Sequence, residues 1–180
     1  MSKTQSMKKD IQTLVKASRT VAQQFTNLRA NAESHQALKD NPAIHPVILN
    51  ALILSFAVNF RNIYDFLFST PTNPKDDVLA AQFFDEPQTW HQLRPEISQS
   101  LRTHRGRLNK HLAHITYARV NQSQADLFWD FQEVMEGLTP AIKLFVNNVD
   151  PCRIHSDMLE ELTNKVWKTM LLNTVDDSIL

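Results

Sequence analysis

Apolar residues recur at helical spacing along most of the chain. Ile11, Leu14, Val21, Phe25, Leu28 and Ala32 follow a seven-residue spacing, with Ser18 as a polar interruption. This pattern predicts a first helix from about Lys8 to about Lys39. Asn41-Pro42 and His45-Pro46 end it, because the residue before proline avoids the helical region. From Val47 to Phe68 the chain is apolar almost all round, which predicts a buried, central second helix. Ser69 to Asp77 is dense in turn residues, and Asp76 or Asp77 can cap a short helix through Phe83. Glu86-Pro87 ends that helix.

Pro95 is expected in the first turn of a third long helix, running to about Val120. Asn121-Gln-Ser123 then forms a turn with a capping residue. A fourth helix covers about Gln124 to Val149, with a kink or break at Gly137 and Pro140. Asp150-Pro151 stops it. A last amphipathic helix, about Ser156 to Leu172, uses Leu159, Leu162, Val166, Trp167 and Met170. Residues 1–7 and 173–180 are expected to fray.

Composition sharpens this picture. Two glycines in 180 residues leave little for hairpin turns, and strict two-residue alternation is absent. The expected fold class is all-α, in one domain spanning residues 1–180. The length suits one sizeable core. Cys152 is the only cysteine, so neither an intramolecular disulfide nor a cysteine-based zinc site can form. The N-terminal stretch has lysines but no apolar signal core. The run from Val47 to Phe60 is broken by Asn50, Ser55 and Asn59 and falls short of a membrane span of roughly 20 residues. A cytoplasmic protein without membrane contact is expected.

Nineteen basic and nineteen acidic residues balance to zero. That excludes bulk coating of nucleic acid, which depends on neutralising many phosphates. The charge is unevenly spread, however. Residues 94–119 hold six basic residues against Glu96 alone, a net +5, so the rest of the chain carries −5. This asymmetry favours an anionic partner at the third helix. On a helical wheel Leu101, Leu108, Leu112 and Ile115 form its core stripe. Arg107, His111 and His114 fall beside that stripe at spacings of four and three, and His104 leans the same way. A guanidinium can hold the non-bridging oxygens of a phosphodiester, and an imidazole can act as general acid or base. An ordinary solvated basic face has the same spacing. His111 and His114 are three apart but lack a nearby acidic partner, which disfavours a metal. No cofactor is expected, since no glycine-rich phosphate loop is present.

Asn109-Lys-His-Leu-Ala-His114 resembles the motif helix of HEPN domains. Arg107 and His114, with six residues between them, meet the loose form of that motif. Leu108 stands where the tight form places arginine. The segment from Phe56 to Phe66, the segment from Asp76 to Phe84, Trp90 and Arg94-Pro95 are similar to a small bacterial HEPN-like group, over about residues 47–120. The resemblance implies an antiparallel four- or five-helix bundle, often a homodimer. It implies metal-independent RNA cleavage, with Arg107 stabilising phosphate charge and His114 moving the proton, His111 beside them. Arg61, Asn62 and Asp65 would orient that pair, and Asn109, Lys110, Thr116 and Arg119 would touch RNA. Each has a plainer reading. Arg61 and Asp65 form an (i, i+4) pair that neutralises itself. Trp90 and Tyr117 suit packing better than base stacking, and Asp76 and Asp77 suit caps better than metal ligands.

Three functions follow. The first is an RNA-associated HEPN-like protein, a ribonuclease of a toxin or defence system with an antitoxin-type protein partner. The second is a non-catalytic helical interaction module, with the heptad-like first helix as its docking surface. The third is a small-molecule or nucleotide site built on Arg61, Asp65 and His114.

Overall fold

A computed structural model describes residues 10–70, 76–111 and 129–163, with side chains of 109–111 and 162–163 outside that description. The described residues are helical, without strands. The helices are α1 (Ile11–Leu38), α2 (Pro46–Phe68), α3 (Pro87–Leu93), α4 (Gln99–His111), α5 (Phe131–Asn148) and α6 (Ser156–Thr163). Short 3-10 turns cover Ala80–Phe83 and Pro151–Arg153.

Side-chain pairs give the sense of each packing. Asn31 meets Ser55 and Gln24 meets Asn62, so α1 and α2 run antiparallel. His104 meets Glu133 and Leu101 lies against Gly137, so α4 and α5 also run antiparallel. Phe56 touches Phe131 and Phe66 touches Phe145, which gives α2 and α5 the same sense. Arg29 is paired to Glu161 at 3.0 Å, which ties α6 to α1. Apolar residues of all six helices form one buried cluster.

The heptad-like stripe of α1 is internal. Leu14, Val21, Phe25, Leu28 and Ala32 are buried, while Ile11 is 54% exposed. Ser18 does not interrupt the stripe. It is fully buried; its hydroxyl donates to the Val15 carbonyl at 2.8 Å and accepts from the His155 amide at 2.7 Å. A small polar residue on the core face thus satisfies a donor at the start of α6. Because α1 packs this face on α2 and α6, it is not available as a docking surface.

Expectation and structure also part at α2. All its buried residues lie between Phe56 and Phe68. None of the ten residues Pro46–Ser55 is buried. The helix is therefore central only in its C-terminal half. It is also long and apolar enough to cross a membrane by length and composition alone, a test that the core helix of a soluble protein passes as well.

Helix starts moved for identifiable reasons. Glu86-Pro87 opens α3 instead of only closing the preceding turn, since proline suits the first helical position. Pro95 precedes α4, and Ser98 takes the capping role, its hydroxyl accepting from the Leu101 amide at 3.2 Å. Asp130 caps α5, accepting from the Glu133 amide at 2.9 Å, so the helix drawn from Gln124 does not run unbroken through residue 130. Gly137 and Pro140 do not break α5, which continues to Asn148. The Ala80–Phe83 turn is capped through Gln82, whose side chain accepts from the Leu79 amide and donates to the Asp77 carbonyl. The predicted last helix from Val166 onward, the 121–123 turn and the terminal residues 1–7 and 173–180 lie outside the described residues.

Candidate functional site

Helix α4 is held by Leu101, His104 and Leu108, all buried and spaced one or two turns apart. His104 therefore belongs to the core stripe and not to the outward flank. Its ring stacks on Trp129 with centroids 5.4 Å apart. Its Nε2 lies 3.0 Å from Glu133 Oε2. With Glu133 ionised, Nε2 carries the proton and donates it, leaving Nδ1 buried without a partner. The Ser100 hydroxyl and then His104 hold the Glu133 carboxyl below the ordinary range. The Asp130-x-x-Glu133 spacing before an apolar run was a readable start signal for α5 and hence for this partner.

Several of the cations that make the 94–119 segment basic are used inside the fold. Arg94 donates to the Phe68 carbonyl at 2.6 Å, covering an end of α2 that lacks its own helical partner. Trp90 does the same for the Leu67 carbonyl at 2.8 Å. Trp90 is a packing residue, 1% exposed and stacked on Phe84. Arg102 donates to the Ile97 carbonyl at 3.2 Å. Arg105 binds both oxygens of Asp65, its Nη2 at 3.0 and 3.1 Å, and lies 5.7 Å over the Tyr64 ring. Burial raises the Tyr64 pKa, with Arg102 and Arg105 opposing.

The Asp65 carboxylate is thus shared. Arg61 approaches it at 3.6 Å, Arg105 at 3.0 Å, and the Ser69 hydroxyl donates to it at 3.1 Å. The expected Arg61–Asp65 pair exists, but the shorter, two-oxygen contact comes from another helix. Asn62 donates to Gln24 at 2.9 Å. Arg61, Asn62, Asp65 and Arg105 line one cleft of about 530 Å³, together with Gln24 and Asp76. Arg107 does not line it. Within one chain the α2 trio is brought to Arg105.

No known protein family, curated protein or solved structure matches this chain.

Arg107 is half-buried on the flank of α4 and lowers the Glu133 pKa slightly, after Ser100 and His104. Leu108, beside it, is 4% exposed and faces the core. An arginine at 108 would bury a charge, so the flank at 107 is where a guanidinium can reach the surface. Asn109, Lys110 and His111 lie on the helical backbone of α4, with His111 one turn beyond Arg107. His114, Thr116, Tyr117 and Arg119 lie outside the described residues. Among the described residues no group of three His, Cys, Asp or Glu could hold a metal ion.

Gly106 sits on the exposed side of α4 with ordinary helical backbone, and an added Cβ meets nothing within 4 Å. Gly106→Ala is expected to stabilise the protein by about 0.5–1 kcal/mol, through lower unfolded-state entropy and better helix propensity. Thermal melts should show Tm rising by about 2–4 °C. A fall in Tm would mean that this face of α4 carries a contact that needs glycine.

Proposed function

We propose that this chain is an HEPN-like antiparallel helical bundle that engages RNA through the flank of α4 and cleaves it without a metal ion. The observation that carries this reading is the placement of Arg107. It stands half-buried beside the core stripe, while the neighbouring position 108 is buried. In this reading Arg107 stabilises phosphate charge, His114 moves the proton, and His111, Asn109, Lys110 and Arg119 support the substrate. The alternating senses of α1, α2, α4 and α5 support the bundle. A cytoplasmic toxin or defence protein with an antitoxin-type partner belongs to the same reading. The test is cleavage of RNA by purified protein in excess chelator. Arg107→Ala and His114→Ala should each lose about 10²-fold or more of the rate. Intact RNA with the unaltered protein overturns the ribonuclease reading.

A second reading, a non-catalytic interaction module, is favoured by one observation. Its docking surface is the exposed apolar side of α2, since the stripe of α1 is already covered. RNA bound but left intact by the unaltered protein, or no RNA binding at all, selects it.

A further inference from the structure

The cleft between α1, α2 and residues 76–79 is charged at both ends and apolar between them. Its volume of about 530 Å³ lies within the range of small-molecule sites, about 300–1,000 Å³. Arg61, Asn62 and Gln24 stand at one end. The Arg61 Nε faces Asp65 at 3.6 Å, beyond hydrogen-bond length, so its fork of Nη groups is open to a planar anion. Asn62 donates to the Gln24 side-chain carbonyl at 2.9 Å, which leaves the Asn62 carbonyl as an acceptor and the Gln24 amide nitrogen as a donor. At the other end, Asp76 and Asp77 precede the turn that packs Phe83 on Phe66, near the C-terminus of α2. Arg61 and Ser69, which both line the cleft, are about 12 Å apart along the helix axis. Val21, Ile63 and Phe66 line the stretch between them. The charged residues of the lining are two arginines and three aspartates, a net −1. Arg105 is closed on both oxygens of Asp65, which sets Arg61 at one end against Asp76 and Asp77 at the other.

We propose that this cleft binds a free α-amino acid with a long cationic side chain, arginine or lysine. The inference stands apart from the RNA reading and does not rest on it. The ligand's α-carboxylate pairs with the Arg61 fork and accepts from the Gln24 amide, and its α-ammonium donates to the Asn62 carbonyl. Its methylene stem covers Val21, Ile63 and Phe66, and its cationic head reaches Asp76 and Asp77. A carboxylate offers about four acceptor positions, so the contacts that Asp76 and Asp77 already make leave room for that head. Charge selects this class of ligand. A basic amino acid carries one net positive charge and balances the lining. A nucleotide would set its phosphates against two aspartates. A diamine would bring a second cation to Arg61, and an apolar amino acid would leave the two aspartates without a counter-charge.

Isothermal titration of the unaltered protein with L-arginine and L-lysine, up to about 10 mM, tests this. Both should bind. Agmatine, which is arginine without its carboxylate, should bind about tenfold or more weakly. Norleucine, which is lysine without its ammonium head, should lose a similar factor. Nα-acetyl-L-arginine, which stands for the last residue of a peptide, should lose it too, because its amide nitrogen carries no charge. Arg61→Met should remove the preference for arginine over agmatine. Asp76→Asn combined with Asp77→Asn should remove the preference for lysine over norleucine. Arg61 and Asp76 are exposed and Asp77 is half-buried, so circular dichroism should show both variants folded. The ligand series on the unaltered protein decides the matter even where a variant does not fold. Absence of binding by both basic amino acids overturns the proposal. Agmatine, Nα-acetyl-L-arginine or ATP binding as tightly as L-arginine overturns it as well, and so do preferences unchanged in the folded variants.

Discussion

Trp90→Ala is expected to cost about 3–5 kcal/mol, the upper range for a core truncation. The indole is 1% exposed, lies against Phe84 with ring centroids 5.7 Å apart, and meets Phe145 edge-on at 5.7 Å. Removing it leaves a cavity among rings that cannot collapse onto it without leaving their rotamers. It also strips the Leu67 carbonyl of its 2.8 Å partner at the end of α2. Trp90→Phe separates the two effects. It keeps most of the volume but leaves that carbonyl unpaired, for about 1–3 kcal/mol. Denaturant titration of both variants checks the order. Equal losses would mean that the hydrogen bond, and not the ring packing, dominates. A loss under about 1 kcal/mol for alanine would contradict the buried placement of Trp90.

Gly137→Ala is expected to destabilise by about 1–3 kcal/mol, the opposite sign to the same change at Gly106. A Cβ at 137 would stand 2.8 Å from Leu101 Cγ and 3.0 Å from its Cδ2. Leu101 is 1% exposed, and its branch point cannot swing away as the tip of a long side chain would. Helices α4 and α5 would have to separate there, loosening the His104–Glu133 contact one turn away. The favourable helix propensity of alanine, up to about 1 kcal/mol, offsets part of the loss. Making Leu101→Ala first removes the obstruction. In that background Gly137→Ala should become neutral or stabilising, and a double-mutant cycle by chemical denaturation measures the coupling. If the two changes add without coupling, the close approach of α4 to α5 is wrong.

Both predictions rest on residues whose importance is only partly visible in the sequence. From the sequence Trp90 suits either the core or a stacking platform, and packing is the better reading because an indole buries a large apolar area. In the sequence Gly137, close to Pro140, predicts a kink or break in a helix. Its role is a close crossing with Leu101, thirty-six positions earlier, and no local pattern can show that. Gly106 and Gly137 are the same residue type in two helices; only their neighbours separate them.

Periodicity alone decides that the described parts of this chain are helical. Seven-residue spacing in α1, scarce glycine and proline-bounded segments are local features, set by backbone sterics and side-chain spacing. The Arg107 flank and the (i, i+4) relation of Arg61 to Asp65 follow from the same geometry. Tertiary structure decides which cations are spent within the fold and which helix faces are covered. Arg105, not Arg107, closes on Asp65, and Arg94 is drawn to the end of α2, because partners from distant segments arrive there on packing. His104 turns inward because Trp129 and Glu133 meet it from α5 and its capping turn. The stripe of α1 is covered, whereas the N-terminal half of α2, more apolar by sequence, stays exposed. Hydrophobic pattern states how much apolar surface a helix has to bury. Which surface covers it is settled only by the other helices, or by another chain.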